Sequence, residues 1–168
     1  MKITEENWPF VKQNYQNIMK KVRYCSIGTV CESGMPNTTP IGSLILTEKG
    51  RGFFFDIFPE LLAKNIDNNP NICILLINTD VFFWLKSMFI GKFTQPAGFK
   101  LLGTAGPKRA ATLEEITAFR SIIKPMKPFK GYHSLWSDLS FVREVELTSY
   151  FPINTGRMTQ TLKTHKDG

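Results

Sequence analysis

Side chains able to do acid–base, nucleophilic or metal chemistry are few in this chain and do not cluster. It has two histidines, His133 and His165. They stand far apart, the second in a stretch that reads as a loose tail, so neither a metal site nor a serine or cysteine triad has an evident histidine supply. His133, within Lys130-Gly-Tyr-His-Ser, reads first as a surface or structural histidine. Three cysteines, Cys25, Cys31 and Cys73, are odd in number and lack metal-ligand spacing. On one extended strand Cys25 and Cys31 would lie about 20 Å apart, too far for a disulfide. No phosphate-binding glycine loop and no dinucleotide fingerprint follows a strand. On residue types and spacing alone, no standard catalytic constellation stands out.

The elements that would position these residues follow from periodicity and punctuation. Thr4 to Val22 carries Val11, Tyr15, Ile18 and Val22 on one helical face, with Pro9 in the first turn. Lys12, Lys20 and Lys21 lie off that stripe. The helix is basic and amphipathic, and packing on its own domain is preferred to a membrane surface. Tyr24 to Cys31 and Asn37 to Thr47 form a hairpin across Glu32-Ser33-Gly34-Met35-Pro36. Arg51 to Ile57 is a third strand. Its successive Phe53, Phe54 and Phe55 require cover on both faces. Pro59 to Asn69 reads as a short helix with Leu62 and Ile66 inward, ended by Asn69-Pro70, and Ile72 to Ile77 as a doubly apolar strand. Asp80 to Gly98 reads as irregular and aromatic, a lid or a dimer contact. Phe99 to Ala105 is a further strand, Thr112 to Ile123 a helix with a Thr112/Glu115 capping box, and Phe141 to Phe151 a long final strand. Such an order fits a small barrel with peripheral helices, in the mainly-β or α+β class.

The totals agree with one domain. The 168 residues are 42% apolar and 21% charged, ordinary for a globular chain. Fourteen Phe, four Tyr and three Trp exceed what a small core easily absorbs, which directs attention to a ligand groove or a subunit interface. The net charge of +7 favours anionic partners without choosing among them. No basic block or basic–aromatic interleaving supports nucleic acid. The longest greasy stretch, Val81 to Gly91, is too short to span a bilayer and is broken by Lys86. With no signal-peptide pattern at the start, the expectation is a cytoplasmic protein without nucleic-acid or membrane partners.

The run YCSIGTVCESGMPNTTPIGSLIL, followed by FFFDI, AKNIDNNP and ICILLI, resembles the FMN-binding split-barrel superfamily that includes pyridoxamine 5'-phosphate oxidase. The final LWSDLSFVREVELTSYFPINTGRMT is similar to the closing strand and C-terminal arm of bacterial members of that group. The resemblance implies a single domain over 1–168, with an N-terminal helix over 1–23 and a C-terminal arm over 153–168. It further implies a split β-barrel of about six antiparallel strands with peripheral helices, and a homodimer with FMN at the subunit interface.

Residue by residue, the resemblance assigns Thr38, Thr39, Pro40, Ile41, Gly42 and Ser43 to the strand that runs past the flavin ring and ribityl chain. Phe55, Asp56 and Ile57 match the opposite side of that pocket. Lys64, with Asn65 beside it, matches the phosphate-binding helix position. Trp136 and Arg143 are candidates contributed by the second subunit, as ring cover and anion contact. These types suit a flavin, which needs a cationic clamp, backbone polar groups along its ring edge and apolar cover on a ring face.

The departures are specific. Thr38-Thr39-Pro40-Ile41 has no arginine, the end of the chain lacks the arginine motif that holds the vitamin substrate, and Leu62 stands where a serine or threonine often precedes the lysine by two. The implied function is therefore a flavin-dependent oxidoreductase of an unspecified small molecule, not a true pyridoxamine 5'-phosphate oxidase. The alternatives are a haem- or deazaflavin-binding relative, with His133 as an axial-ligand candidate for haem, and a non-enzymatic cofactor-binding dimer.

Overall fold

The structure is a computed structural model that describes residues 1–159; His165 and the rest of the expected tail lie outside the described residues. Helix α1 (Trp8–Val22) is followed by β1 (Cys25–Val30), β2 (Pro36–Ile41), β3 (Ile45–Leu46) and β4 (Arg51–Phe55). Then come α2 (Glu60–Asn68), β5 (Asn71–Ile77), α3 (Val81–Ile90), β6 (Gly98–Ala105), β7 (Arg109–Ala110), α4 (Leu113–Ile123), α5 (Gly131–Trp136) and β8 (Phe141–Pro152). All eight strands belong to one curled antiparallel sheet in the order β2-β1-β5-β6-β8-β4-β3, with β7 on β8. This is the α+β split-barrel class expected from the sequence, with two of its strands only two residues long.

The sheet must bend to curl, and it does so where β6 meets β8. Their register shifts between Leu102 and Gly103. A Cβ on Gly103 would stand 2.0 Å from the Glu146 carbonyl oxygen, so only glycine allows the two strands to close there.

Two cores sit on opposite sides of β4. Alternation along the strand sends Phe54 into the larger core, with Val11, Tyr15 and Ile18 of α1, Leu62 and Ile66 of α2, and Ile27, Ile74 and Leu101 of the sheet. Phe53 and Phe55 enter a second cluster with Phe119 and Ile123 of α4, Leu139 and Val142. The two-sided cover demanded by three successive phenylalanines is thus supplied by curling on one side and by α4 on the other. Helix α1 docks by the stripe read from the sequence, and the Tyr15 hydroxyl donates to the Leu44 carbonyl. The α4 capping box is present, Thr112 and Glu115 each accepting from the other's backbone N–H.

Two expectations are corrected. The single strand expected over Asn37 to Thr47 is broken at Gly42–Leu44, where Ser43 Oγ accepts from the Phe55 N–H at 3.0 Å and a side chain replaces the backbone ladder. The expected irregular region over Asp80 to Gly98 contains α3, capped by Asp80 Oδ1 on the Phe82 N–H and ended by Gly91 at φ 75°. Its apolar residues occupy every face, so no 3.6-residue period marked it as a helix.

The division of labour along β4 predicts that Phe54→Ala, which empties a fully buried site, costs about 3–5 kcal/mol in denaturant unfolding. Phe58→Ala, at a 64% exposed side chain three residues past the strand, changes stability by no more than about 0.5 kcal/mol.

Candidate functional site

A groove of about 450 Å³ opens where the end of β2 passes the end of β4 beneath α4 and α5. One wall is the backbone and short side chains of Thr39 to Ser43; facing it are Phe55 and Ile57, with Phe119 and Ile123 of α4 and Trp136 of α5 completing the apolar cover. Phe55 stands 5.1 Å from Phe119, centroid to centroid, and Tyr132 meets Trp136 edge-on at 5.5 Å, so these rings hold one another in place. Arg23 also lines the groove. It adopts a left-handed conformation, φ 67°, just past α1, with its N–H on the Met19 carbonyl. It is exposed and has no ion-pair partner among the described residues.

A neighbouring cavity of about 440 Å³ shares Arg23, Gly42, Phe119 and Ile122 with this groove and extends toward Tyr15, Met19 and Lys20 of α1. Gly42 does permit a close approach, but of backbone to backbone: a Cβ there would lie 3.1 Å from the Arg23 carbonyl oxygen.

Eight of the thirteen expected site residues meet in this groove: Thr39, Pro40, Ile41, Gly42, Ser43, Phe55, Ile57 and Trp136. Trp136, which the resemblance offered as a contribution from a second subunit, lines the groove of its own chain. The other five lie elsewhere. Thr38, just before the groove-lining stretch, instead lines a depression of about 590 Å³ with Gly28 and Leu102. Asn65 is buried and donates to Thr29 Oγ1 at 3.0 Å, pinning α2 to β1. Lys64 is exposed beside a separate depression with Cys31 and Ser33.

Asp56 and Arg143, expected as ligand contacts, are turned to each other. Arg143 Nε donates to Asp56 Oδ2 at 2.6 Å, and Nη1 donates to Asp67 Oδ1 at 2.7 Å and to the Gly106 carbonyl at 3.2 Å. The Arg143 and Asp56 side chains are 1% and 3% exposed. A charge so removed from water persists only when paired, so this guanidinium ties the ends of β4, α2 and β6 to β8 and is not available to an external anion. It holds the Asp67 carboxyl below the usual range, chiefly through its hydrogen bond.

Among the cysteines, all free, burial pushes Cys25 up to about 12, while the Ser33 hydroxyl lowers Cys31. His133 is exposed on α5 and is not among the groove-lining residues. A larger cavity, about 870 Å³, has Arg109 in its lining. Arg109 there is paired with Glu115 and Glu144, each at 2.7 Å, while exposed Glu114 and Glu146 also line the cavity.

A family model described as pyridoxamine 5'-phosphate oxidase matches residues 11–129, from α1 through α4. The chain belongs to the pyridoxamine 5'-phosphate oxidase family. No curated protein matches it by sequence. Solved structures share its fold. HupZ of Group A Streptococcus aligns with a TM-score of 0.57 at 16% identity, covering 86% of this chain and 94% of that one. An FMN-binding protein from Syntrophomonas wolfei aligns at 0.54 and 11% identity, covering 89% and 95%. A protein named F420 reductase aligns at 0.50 and 12% identity, covering 80% and 94%. Among the described residues no helix is long and apolar enough to cross a membrane.

For this family member, sequence reasoning missed Arg23 and Phe119. Arg23 lies in a two-residue connection between α1 and β1, where nothing in its neighbours signals a groove. Phe119 showed only as an apolar helix position, with no sign that it would meet Phe55. The buried cluster yields a prediction. Arg143→Leu leaves Asp56 unpaired and lowers unfolding stability by about 3–5 kcal/mol, and adding Asp56→Leu recovers part of that loss.

Proposed function

We propose that this family member is an FMN-binding protein and a flavin-dependent oxidoreductase acting on a small molecule other than pyridoxamine 5'-phosphate. The observation that carries the reading is the convergence of Thr39 to Ser43, Phe55, Ile57 and Trp136 on one groove. Its volume, about 450 Å³, lies in the range of small-molecule sites, and its mix of apolar walls, exposed strand backbone and one lining cation meets the needs of a flavin nucleotide. In this reading the ring edge lies along Thr39 to Ser43, with Phe55 and Trp136 as apolar cover. Arg23, joined at the neighbouring cavity by Lys20, serves as the phosphate clamp. Bound FMN supplies hydride and electron transfer. The protein orients the ring and keeps water from it, and no side chain in the groove is needed as a general base.

The dimer belongs to the same proposal. Over β1, β5 and β6 the sheet presents an apolar depression flanked by Val30 and Leu102, each 38% exposed, a face suited to a second copy. A deazaflavin offers similar ring chemistry, and the fold is shared with a protein named F420 reductase. Haem is less well served, since His133 does not line the groove.

The test is titration of the purified protein with FMN, followed by visible absorbance and gel filtration, with F420 and haemin as competitors. FMN is expected to co-elute with a dimer. Arg23→Ala should weaken binding by on the order of tenfold or more, the worth of one charge-assisted contact, while Lys64→Ala leaves it unchanged. The reverse pattern would move the clamp to Lys64, and uptake of no ligand would remove the oxidoreductase reading.

A further inference from the structure

Among the described residues, helix α3 leaves a large apolar surface outward. Only Ser87 of its ten residues is buried. Phe82, Leu85, Lys86 and Phe89 fall at i, i+3, i+4 and i+7 on one face; the three apolar members are 82%, 58% and 95% exposed, flanked by Val81 at 66% and Met88 at 67%. Such a patch is well beyond the scattered exposed side chains of an ordinary surface.

The helix is also held firmly. Phe83 stacks on buried Phe93 at 5.5 Å, Trp84 meets Phe93 edge-on at 5.3 Å, and the Trp84 indole donates to the Asn78 carbonyl. Asp80, its N-cap, accepts from Lys21 of α1. The inner face is therefore used for anchorage and the outer one is presented.

We propose that α3 is a docking helix for an anionic phospholipid surface. Charge decides between this and a second copy of the chain. Lys86 sits in the middle of the apolar face, Lys92 follows two residues after the helix, and no acidic residue occurs between Val81 and Lys92. A two-fold contact through this face would bury Lys86 near its own counterpart with no carboxylate to receive it, since Asp80 is engaged by Lys21 and by the Phe82 N–H. At a lipid surface the rings enter the acyl boundary while the lysine stems extend to headgroup phosphates. The net charge of +7 acts in the same sense. For this segment, the expectation that a membrane is not a partner rested on its being broken by Lys86 and too short to span one, criteria that do not apply to a helix lying on the surface.

The experiment is co-sedimentation of the full chain with vesicles of phosphatidylcholine alone or mixed equally with phosphatidylglycerol, alongside gel filtration. The protein should sediment with the anionic vesicles and be released by salt. Phe82→Ser with Phe89→Ser, exposed positions where folding is checked by circular dichroism, should reduce binding by at least about tenfold. Lys86→Glu should do so by on the order of tenfold. Absence of vesicle binding overturns the proposal. So does binding that the phenylalanine changes leave intact, which is charge attraction without the helix, or conversion of a dimer to monomer by those changes, which assigns the face to a second copy.

Discussion

Three consecutive phenylalanines in β4 set the constraint on which the rest of this structure depends. Because strand side chains alternate, Phe54 must be buried on one side while Phe53 and Phe55 are buried on the other. A single-faced sheet cannot satisfy both. The larger core forms inside the curled sheet around Phe54, and a second forms outside it when α4 brings Phe119 and Ile123 onto Phe53 and Phe55. The groove is a consequence of that second core. It lies where the cover from α4 and α5 meets the break in the strand at Gly42–Leu44, so the requirement to bury Phe55 also creates the wall a ring-shaped ligand would use.

The second organising interaction is electrostatic. The Arg143 side chain is buried on β8 and is met by buried Asp56, by Asp67 at the surface and by the Gly106 carbonyl. One side chain thereby links the end of β4, α2, the turn after β6 and β8. The pair costs desolvation and repays it only through complete hydrogen bonding, so its value lies in fixing where β4 ends and the groove begins. Ser43 has a smaller role of the same kind, taking the Phe55 N–H where the ladder is interrupted.

Much of this was legible in the residues. The α1 stripe, the Thr112/Glu115 box and the two-sided burial of β4 follow from local period and punctuation, and the structure contains each of them; the order of strands in the sheet does not follow from such signals. The strand segment Thr39 to Ser43 and its partners Phe55 and Ile57 were found through resemblance, and they do converge. What could not be read has physical causes. Asp56 and Arg143 are 87 positions apart, and nothing local to either says that each satisfies the other. The resemblance set Asn65 beside Lys64 as a ligand contact, and nothing local to it shows that its partner is Thr29, 36 positions away on β1. Helix α3 hid because a helix that is apolar all round carries no period, and Arg23 hid because its importance comes from the groove it happens to line.

The most direct test of this account is hydrogen exchange of the backbone amides with and without FMN. The account predicts protection concentrated in Ile41 to Ser43, in Phe55 to Ile57 and in the α5 segment 131–136, with little change around Lys64 and Arg109. Protection confined to the Lys64 depression or to the Arg109 cavity, with the groove exchanging as before, would contradict it.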